Sequence, residues 1–174
     1  MEYLNEAKLG ELLKILFPNN DFIHDKAVPT STNRRKRPDY RCDELSLIIE
    51  FDGFGHYTIA KNIISDIDKD EDYTTLGYKV IRIPYFIQLT KEVILDLFNI
   101  ELKNDLYNYP HGFIDKKAVL PADFCELGVT KFREDLVRFS YVKEDIISSL
   151  VAHRKTKDMH IILPPSLQHI INAI

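Results

Sequence analysis

The first apolar pattern in the chain is helical and covers roughly residues 3–17. Leucines recur there at the i, i+3, i+4 and i+7 spacing of an amphipathic helix, Asn5 is placed to cap the start, and Pro18 stops it. Residues 28–38 break the pattern, because proline, threonine, serine and asparagine lead into a basic run that is typical of a loop. The leucines of the predicted helix are Leu9, Leu12, Leu13 and Leu16.

Short apolar runs rich in β-branched side chains predict strands after this loop. A short strand around residues 39–41 is followed by a turn at Asp43 and Glu44 and by a strand over residues 45–52. A third strand is expected over residues 78–85.

A helix over roughly residues 62–76 should connect the second and third strands, with Gly77 just past its end. We expect Ile63, Ile64 and Ile67 on the buried side of this helix. A helix between two strands is the crossover that makes those strands parallel. An α/β fold with a mixed sheet flanked by helices is therefore predicted.

The remainder of the chain predicts mainly helices. Thr90 is placed to cap a helix whose apolar side is formed by Val93, Ile94, Leu97 and Phe98. Residues 107–128 lack periodicity and should wrap the core. Later patterns predict helices at residues 130–139 and 143–152, a short strand at 160–163, and a last helix through Ile174.

We divide the chain into a core over residues 1–100 and a mainly helical extension over residues 101–174, packed on that core. The sequence gives no role for the extension. At 174 residues the chain is long enough for one hydrophobic core with such an appendage.

Composition narrows the class of protein. Apolar residues make up 45% and charged residues 29%, as in soluble globular proteins. Two cysteines, Cys42 and Cys125, support neither a disulfide framework nor a thiolate zinc site. No apolar run could span a bilayer and the first residues do not resemble a signal peptide, so we expect a cytoplasmic protein without a membrane partner. The net charge of −4 argues against bulk attraction to nucleic acid, but not against a local basic patch.

Three acids should meet at one edge of the sheet. Glu50 and Asp52 point to the same face of their strand, and a tight connection would place Asp39 beside Glu50. With the backbone carbonyl of Phe51 they would form an oxygen-rich pocket suited to Mg²⁺ or Mn²⁺. Such a cation would offset the cost of burying ionised acids. The alternative is a set of solvent-exposed acids at strand ends.

A longer ordered series of residues surrounds these acids. It runs Pro38-Asp39, Glu50-Phe51-Asp52-Gly53, His56, Asp66 with Lys69, Leu76-Gly77 and Val80-Ile81-Arg82. This series resembles the PD-(D/E)XK superfamily of restriction and repair nucleases, and within it the branch related to very-short-patch repair endonucleases. The resemblance covers about residues 3–90 and does not extend past about residue 100.

The resemblance implies a restriction-endonuclease-like core and metal-dependent hydrolysis of phosphodiester bonds. Asp39, Glu50 and the Phe51 carbonyl would hold the metal, and Asp52 would assist directly or through water. The lysine that the superfamily usually carries would fall at position 52, where this chain has aspartate. Either the branch works without it, or Lys69 or another cation such as Arg82 takes its role.

Two further residues have roles implied by the resemblance. His56 would act as a base or as a metal ligand, the alternative being a surface histidine. Many members direct a glutamate from the N-terminal helix at the metal, and Glu6 lies beside the leucine stripe of that helix. We therefore expect Glu6 at the metal, the alternative being that a glutamate in the first turn is a partner of the helix dipole.

A basic run precedes Asp39 and could hold a nucleic-acid backbone near the scissile phosphate. Such a run is more often a solvated loop. Arg82, at the end of its strand, either adds to this surface or serves as a salt-bridge partner. The residues of the run are Arg34, Arg35, Lys36 and Arg37.

The sequence therefore favours a metal-dependent endonuclease acting on nucleic acid, most directly DNA. Cutting both strands with one such site would favour a homodimer. The alternative is a nuclease-like module that lacks catalysis and serves in binding DNA or protein, as the missing lysine suggests. No phosphate-binding loop, dinucleotide fingerprint or serine nucleophile elbow supports another class of enzyme.

Overall fold

A computed structural model describes residues 3–29, 31, 35–114 and 118–172. The first helix, α1, spans Glu6–Leu16. The Asn5 side chain caps it, accepting a 2.8 Å hydrogen bond from the backbone amide of Lys8. The four leucines of the predicted stripe are buried, so this prediction is confirmed.

Four strands form one mixed sheet in the order β1-β2-β3-β4. β1 and β2 are antiparallel, β2 and β3 are antiparallel, and β3 and β4 are parallel. The strands predicted near residues 39–41, 45–52 and 78–85 and the mixed sheet are confirmed, whereas β1 has only two residues and gave no sequence signal. The strands are β1 (Ile23–His24), β2 (Tyr40–Cys42), β3 (Leu47–Asp52) and β4 (Lys79–Pro84).

The crossover from β3 to β4 contains a short helix, α2 (Gly55–Thr58), and a longer one, α3 (Ala60–Thr75). Gly77 follows α3 with a φ of +91°, a conformation that favours glycine. The predicted crossover helix and its stop are therefore confirmed.

The buried side of α3 differs from the predicted one. Ile63 is buried, but residues Ile64 and Ile67 are 53% and 55% exposed. The helix instead turns Asp66 and Tyr73 inward, because the sheet surface beneath it carries the charged ends of β3 and β4. The free energy gained by giving those charges polar partners exceeds the free energy gained by burying two isoleucines.

On the opposite face of the sheet, helix α4 (Lys91–Phe98) begins after Thr90, whose hydroxyl accepts a hydrogen bond from the Val93 amide. This capping prediction is confirmed. Val93, Ile94 and Leu97 are buried in the main hydrophobic cluster.

The last third of the chain is helical, with 3-10 turns at Pro121–Asp123, Ser140–Val142 and Pro165–Leu167. The strand predicted at residues 160–163 is wrong, because this segment lies in a helical turn that buries Ile162. Periodicity cannot separate a strand from a helix in so short an apolar run. The helices are α5 (Glu126–Arg138), α6 (Lys143–Arg154), α7 (Met159–Ile162) and α8 (His169–Asn172).

The C-terminal extension shares a hydrophobic cluster with the sheet. Phe86, just after β4, lies with its ring centroid 5.3 Å from that of Phe132 on α5. The same cluster contains Ile49 of β3 and Leu150 of α6. Within the described ranges, no helix combines the length and the apolar composition needed to cross a membrane.

Candidate metal centre

Two carboxylates meet where β2 and β3 pair. Tyr40 lies opposite Ile49 in the antiparallel register, which brings Asp39 and Glu50, the next residue on each side, beside one another. One Asp39 oxygen, Oδ2, accepts a 2.7 Å hydrogen bond from the backbone amide of Phe51. The predicted meeting of Asp39 with Glu50 is therefore present in the structure.

Nearby positive charge does not offset the burial of this pair. Glu50 is 2% exposed, and its Oε1 has no hydrogen-bond partner in the part of the chain that the structure describes. Burial, followed by the negative charge of Asp39, raises the pKa of Glu50 to about 7. Burial also raises the pKa of Asp39, although the hydrogen bond from Phe51 opposes this rise. A cation at this point would relieve both effects.

The structure brings Lys69 and Glu6 towards the same pair. The charge of Lys69, on α3, opposes the rise in the pKa values of both Asp39 and Glu50. The charge of Glu6, on α1, contributes to the raised pKa of Asp39, so it lies within electrostatic range. Glu6 is also 2.7 Å from the Nε2 atom of His24.

Two other groups adjoin the acids. The Phe51 carbonyl accepts a 3.1 Å hydrogen bond from the Gly53 amide, which leaves one lone pair for a further partner. The buried hydroxyl of Tyr73 has no hydrogen-bond partner in the described part of the chain. Burial and then the nearby Glu50 charge raise the pKa of Tyr73.

Asp52 has a different environment from the one expected of it. It is fully buried, with Oδ1 2.7 Å from Arg82 Nη1 and Oδ2 2.6 Å from Lys131 Nζ. Burial disfavours its ionised form, but the charges of Arg82 and Lys131 outweigh burial and lower the pKa of Asp52. Because each oxygen is already paired with a cation, Asp52 stabilises the β3 end, and its assistance at a metal stays a prediction.

Arg82 is held by aspartates on α3 as well. Its Nε and Nη2 atoms each donate a 2.8 Å hydrogen bond to Asp70, and Nη2 lies 3.5 Å from Asp66 Oδ1. The side chain is only 10% exposed. Of the two roles that the sequence left open, the structure shows the salt bridge, and Arg82 is not available to contact a nucleic acid.

His56 forms a dyad with Asp66. Its Nδ1 lies 2.5 Å from Asp66 Oδ2 and 3.8 Å from Asp52 Oδ1, and the ring is 28% exposed. The hydrogen bond to Asp66, opposed by burial and aided by the charge of Asp52, raises the pKa of His56. When the neutral ring carries its proton on Nδ1 and donates a hydrogen bond to Asp66, Nε2 has a free lone pair.

Asp52, His56 and Asp66 could themselves bind a metal, since one ligand atom from each lies within 4.8 Å of the others. Arg82 and Lys131, however, already neutralise Asp52. Asp39 and Glu50, in contrast, form no salt bridge within the described residues, so they could accept a dication without displacing an existing ion pair.

The basic run before Asp39 is partly tied to the protein. Lys36 Nζ donates a 2.7 Å hydrogen bond to the Asp68 carbonyl of α3, which fastens the loop to that helix. Arg37 Nε is 3.4 Å from Asp25, but its side chain remains 55% exposed. Arg35 is exposed, and Arg34 lies outside the described residues.

Lys131 and Tyr73 were not found from the sequence. Lys131 is separated from Asp52 by 79 positions and lies on a helix with no recognisable motif. By helical spacing Tyr73 shares a face with Asp66, Lys69 and Asp70, and such a polar stripe is typical of a solvated surface. Only the packing of α3 and α5 against the sheet identifies them as neighbours of the acids.

Comparison with models of protein families, with curated proteins and with solved structures found no match to this chain. The function of the chain is therefore inferred from its motif series and from the charge balance of its buried acids.

Proposed function

We propose that the chain is a metal-dependent nuclease of the PD-(D/E)XK type, which hydrolyses phosphodiester bonds, most directly in DNA. Asp39 and Glu50 would hold Mg²⁺ or Mn²⁺. The observation that supports this most strongly is the buried Glu50 carboxyl, which lies beside a second acid and has one oxygen without a partner among the described residues. Core packing alone gives no reason to place two acids there.

The fold is compatible with this proposal. A mixed four-stranded sheet has α1 packed in the cluster on one face and α3 contributing Tyr73 to a smaller cluster on the other. The restriction-endonuclease-like core implied by the motif series is likewise a mixed sheet flanked by helices. The finer assignment, to the very-short-patch repair branch, rests on the motif series.

The donor set fits a hard divalent cation. Carboxylates from Asp39 and Glu50 and the carbonyl of Phe51 are all oxygen donors, which Mg²⁺ and Mn²⁺ prefer. When bound, such an ion supplies positive charge to the phosphate and favours ionisation of water.

The surrounding residues would perform the remaining steps. His56, fixed by Asp66 through Nδ1, would accept a proton from the attacking water at Nε2. Lys69, within electrostatic range of both acids, would stabilise the negative charge that develops on the phosphate. The exposed Arg37 and its neighbour Arg35 would hold the backbone of the nucleic acid.

The test is hydrolysis of plasmid and single-stranded DNA by the purified protein with Mg²⁺ or Mn²⁺, with and without a chelator. We expect metal-dependent cleavage that Asp39→Asn or Glu50→Gln reduces to the chelator level. Glu71→Gln, at an exposed position of α3, is the matched control and should cleave normally. Cleavage that persists in either acid variant would refute this assignment.

A nuclease-like module without catalysis is the second candidate. One observation favours this candidate. The usual lysine would fall at position 52, and this position holds a buried aspartate that forms salt bridges with two cations. Calorimetry with Mg²⁺ or Mn²⁺ separates the two, since a binding module has no need of a cation site that depends on Asp39. DNA binding without such a site and without cleavage would favour the module.

A further inference from the structure

We propose that Lys131 is a positioning residue that fixes Asp52 and, through it, His56, so that the C-terminal extension completes the site. The effect of Lys131 on catalysis rests on the proposed nuclease function. The inference concerns a residue 49 positions past Arg82, the last residue of the motif series.

The contacts of Lys131 join α5 to the end of β3. Its ammonium group is 2.6 Å from Asp52 Oδ2 and 3.4 Å from the Tyr57 hydroxyl, and it lies 4.6 Å from the Tyr57 ring centroid. The side chain is 16% exposed. These partners fix the ammonium group in a partly desolvated position, where an ion pair is stronger than at the surface.

Helix α5 also holds α2, the helix that carries His56. The Tyr57 carbonyl accepts a 3.0 Å hydrogen bond from the Cys125 amide, and its hydroxyl donates a 2.6 Å hydrogen bond to Asp135. Gly128 packs so closely on the Tyr57 carbonyl that a Cβ there would overlap the oxygen. The residue after His56 is therefore fixed by the extension at both its backbone and its side chain.

The charges around His56 give Lys131 a measurable effect. Three salt-bridged carboxylates already outnumber the two permanent cations of the network, and Asp135 of α5 is a fourth acid beside Lys131. Without Lys131 the excess of negative charge grows, and His56 should hold its proton more tightly. The network contains Asp52 on β3, Asp66 and Asp70 on α3, Arg82 on β4, Lys131 on α5, and His56 on α2.

The experiment measures the titration of His56 by NMR in the metal-free protein, with the signal assigned from His56→Gln. We expect Lys131→Met to raise the pKa of His56 by about one unit and Lys131→Arg to restore it. Lys131→Gln serves as a second variant if the methionine variant does not fold. Lys143→Met, at an exposed lysine of α6, is the control and should leave the titration unchanged.

Nuclease kinetics at saturating metal give the second readout. The acidic limb of the pH profile of kcat should move to higher pH together with the pKa of His56. At pH values below that pKa, kcat should therefore be about tenfold lower than in the wild type, with KM unchanged. An unshifted His56 titration in a folded Lys131→Met or Lys131→Gln variant overturns the inference. An inactive wild-type protein would refute the nuclease proposal instead, and the NMR titration would still decide the role of Lys131.

Discussion

Replacing Glu50 by glutamine should change how the stability of the metal-free protein depends on pH. The carboxyl of Glu50 is buried, and one of its oxygens has no partner in the described part of the chain. Its ionised form is therefore disfavoured in the folded protein and favoured in the unfolded one. Glutamine has a similar shape but does not ionise, so Glu50→Gln removes this dependence.

The size of the effect follows from linkage. The pKa rises from 4.5 to about 7 on folding, and each unit corresponds to about 1.4 kcal/mol. The folded state binds more protons between these values, so the stabilisation present below pH 4.5 is lost as pH rises through about 7. The loss is about 3 kcal/mol in total. Asp52, whose pKa is lowered, changes its contribution only at pH values below its usual 3.8.

The assay is urea unfolding from about pH 5 to about pH 8.5 in the presence of a chelator. We expect the free energy of unfolding of the wild type to fall more steeply with pH than that of Glu50→Gln. Comparing slopes cancels any constant packing cost of the glutamine. Glu71→Gln, at an exposed site, should follow the wild type. Parallel curves for wild type and Glu50→Gln would refute the reasoning.

Three further predictions concern stability, each measured by urea unfolding. Arg82→Met should cost about 3 to 5 kcal/mol because it leaves buried aspartates unpaired, and an unchanged stability would contradict the network. Gly128→Ala should cost about 1 to 3 kcal/mol through its clash with the Tyr57 carbonyl, and a neutral result would show that α5 can move away. Ile67→Asn should alter stability by less than about 0.5 kcal/mol, whereas Ile63→Asn should cost about 3 kcal/mol. Equal losses would contradict the orientation of α3.

Most of what the sequence could predict about the site follows from the pattern of its strands. Side chains two apart on a strand share a face, and a short turn between β2 and β3 leaves little freedom in register. The meeting of Asp39 with Glu50 could therefore be expected from local spacing. Lys69 could be expected as well, because the motif series placed it on the crossover helix.

The roles that were missed depend on contacts between distant segments. Ile64 and Ile67 form an apolar stripe by helical spacing, but α3 turns its polar side to the sheet because buried charges there need partners. The spacing on β3 predicts Asp52 as an acid near the metal, but not its ion pairs with Arg82 and Lys131. Local periodicity carries no information about such pairings.

The most direct test of the metal site is a crystal structure of the protein with Mn²⁺, located by its anomalous scattering. Our account predicts one ion bound by carboxylate oxygens of Asp39 and Glu50. The Glu50→Gln protein should lose that ion under the same conditions. An ion bound instead among Asp52, His56 and Asp66, or no ion near Glu50 at saturating Mn²⁺, would contradict the account.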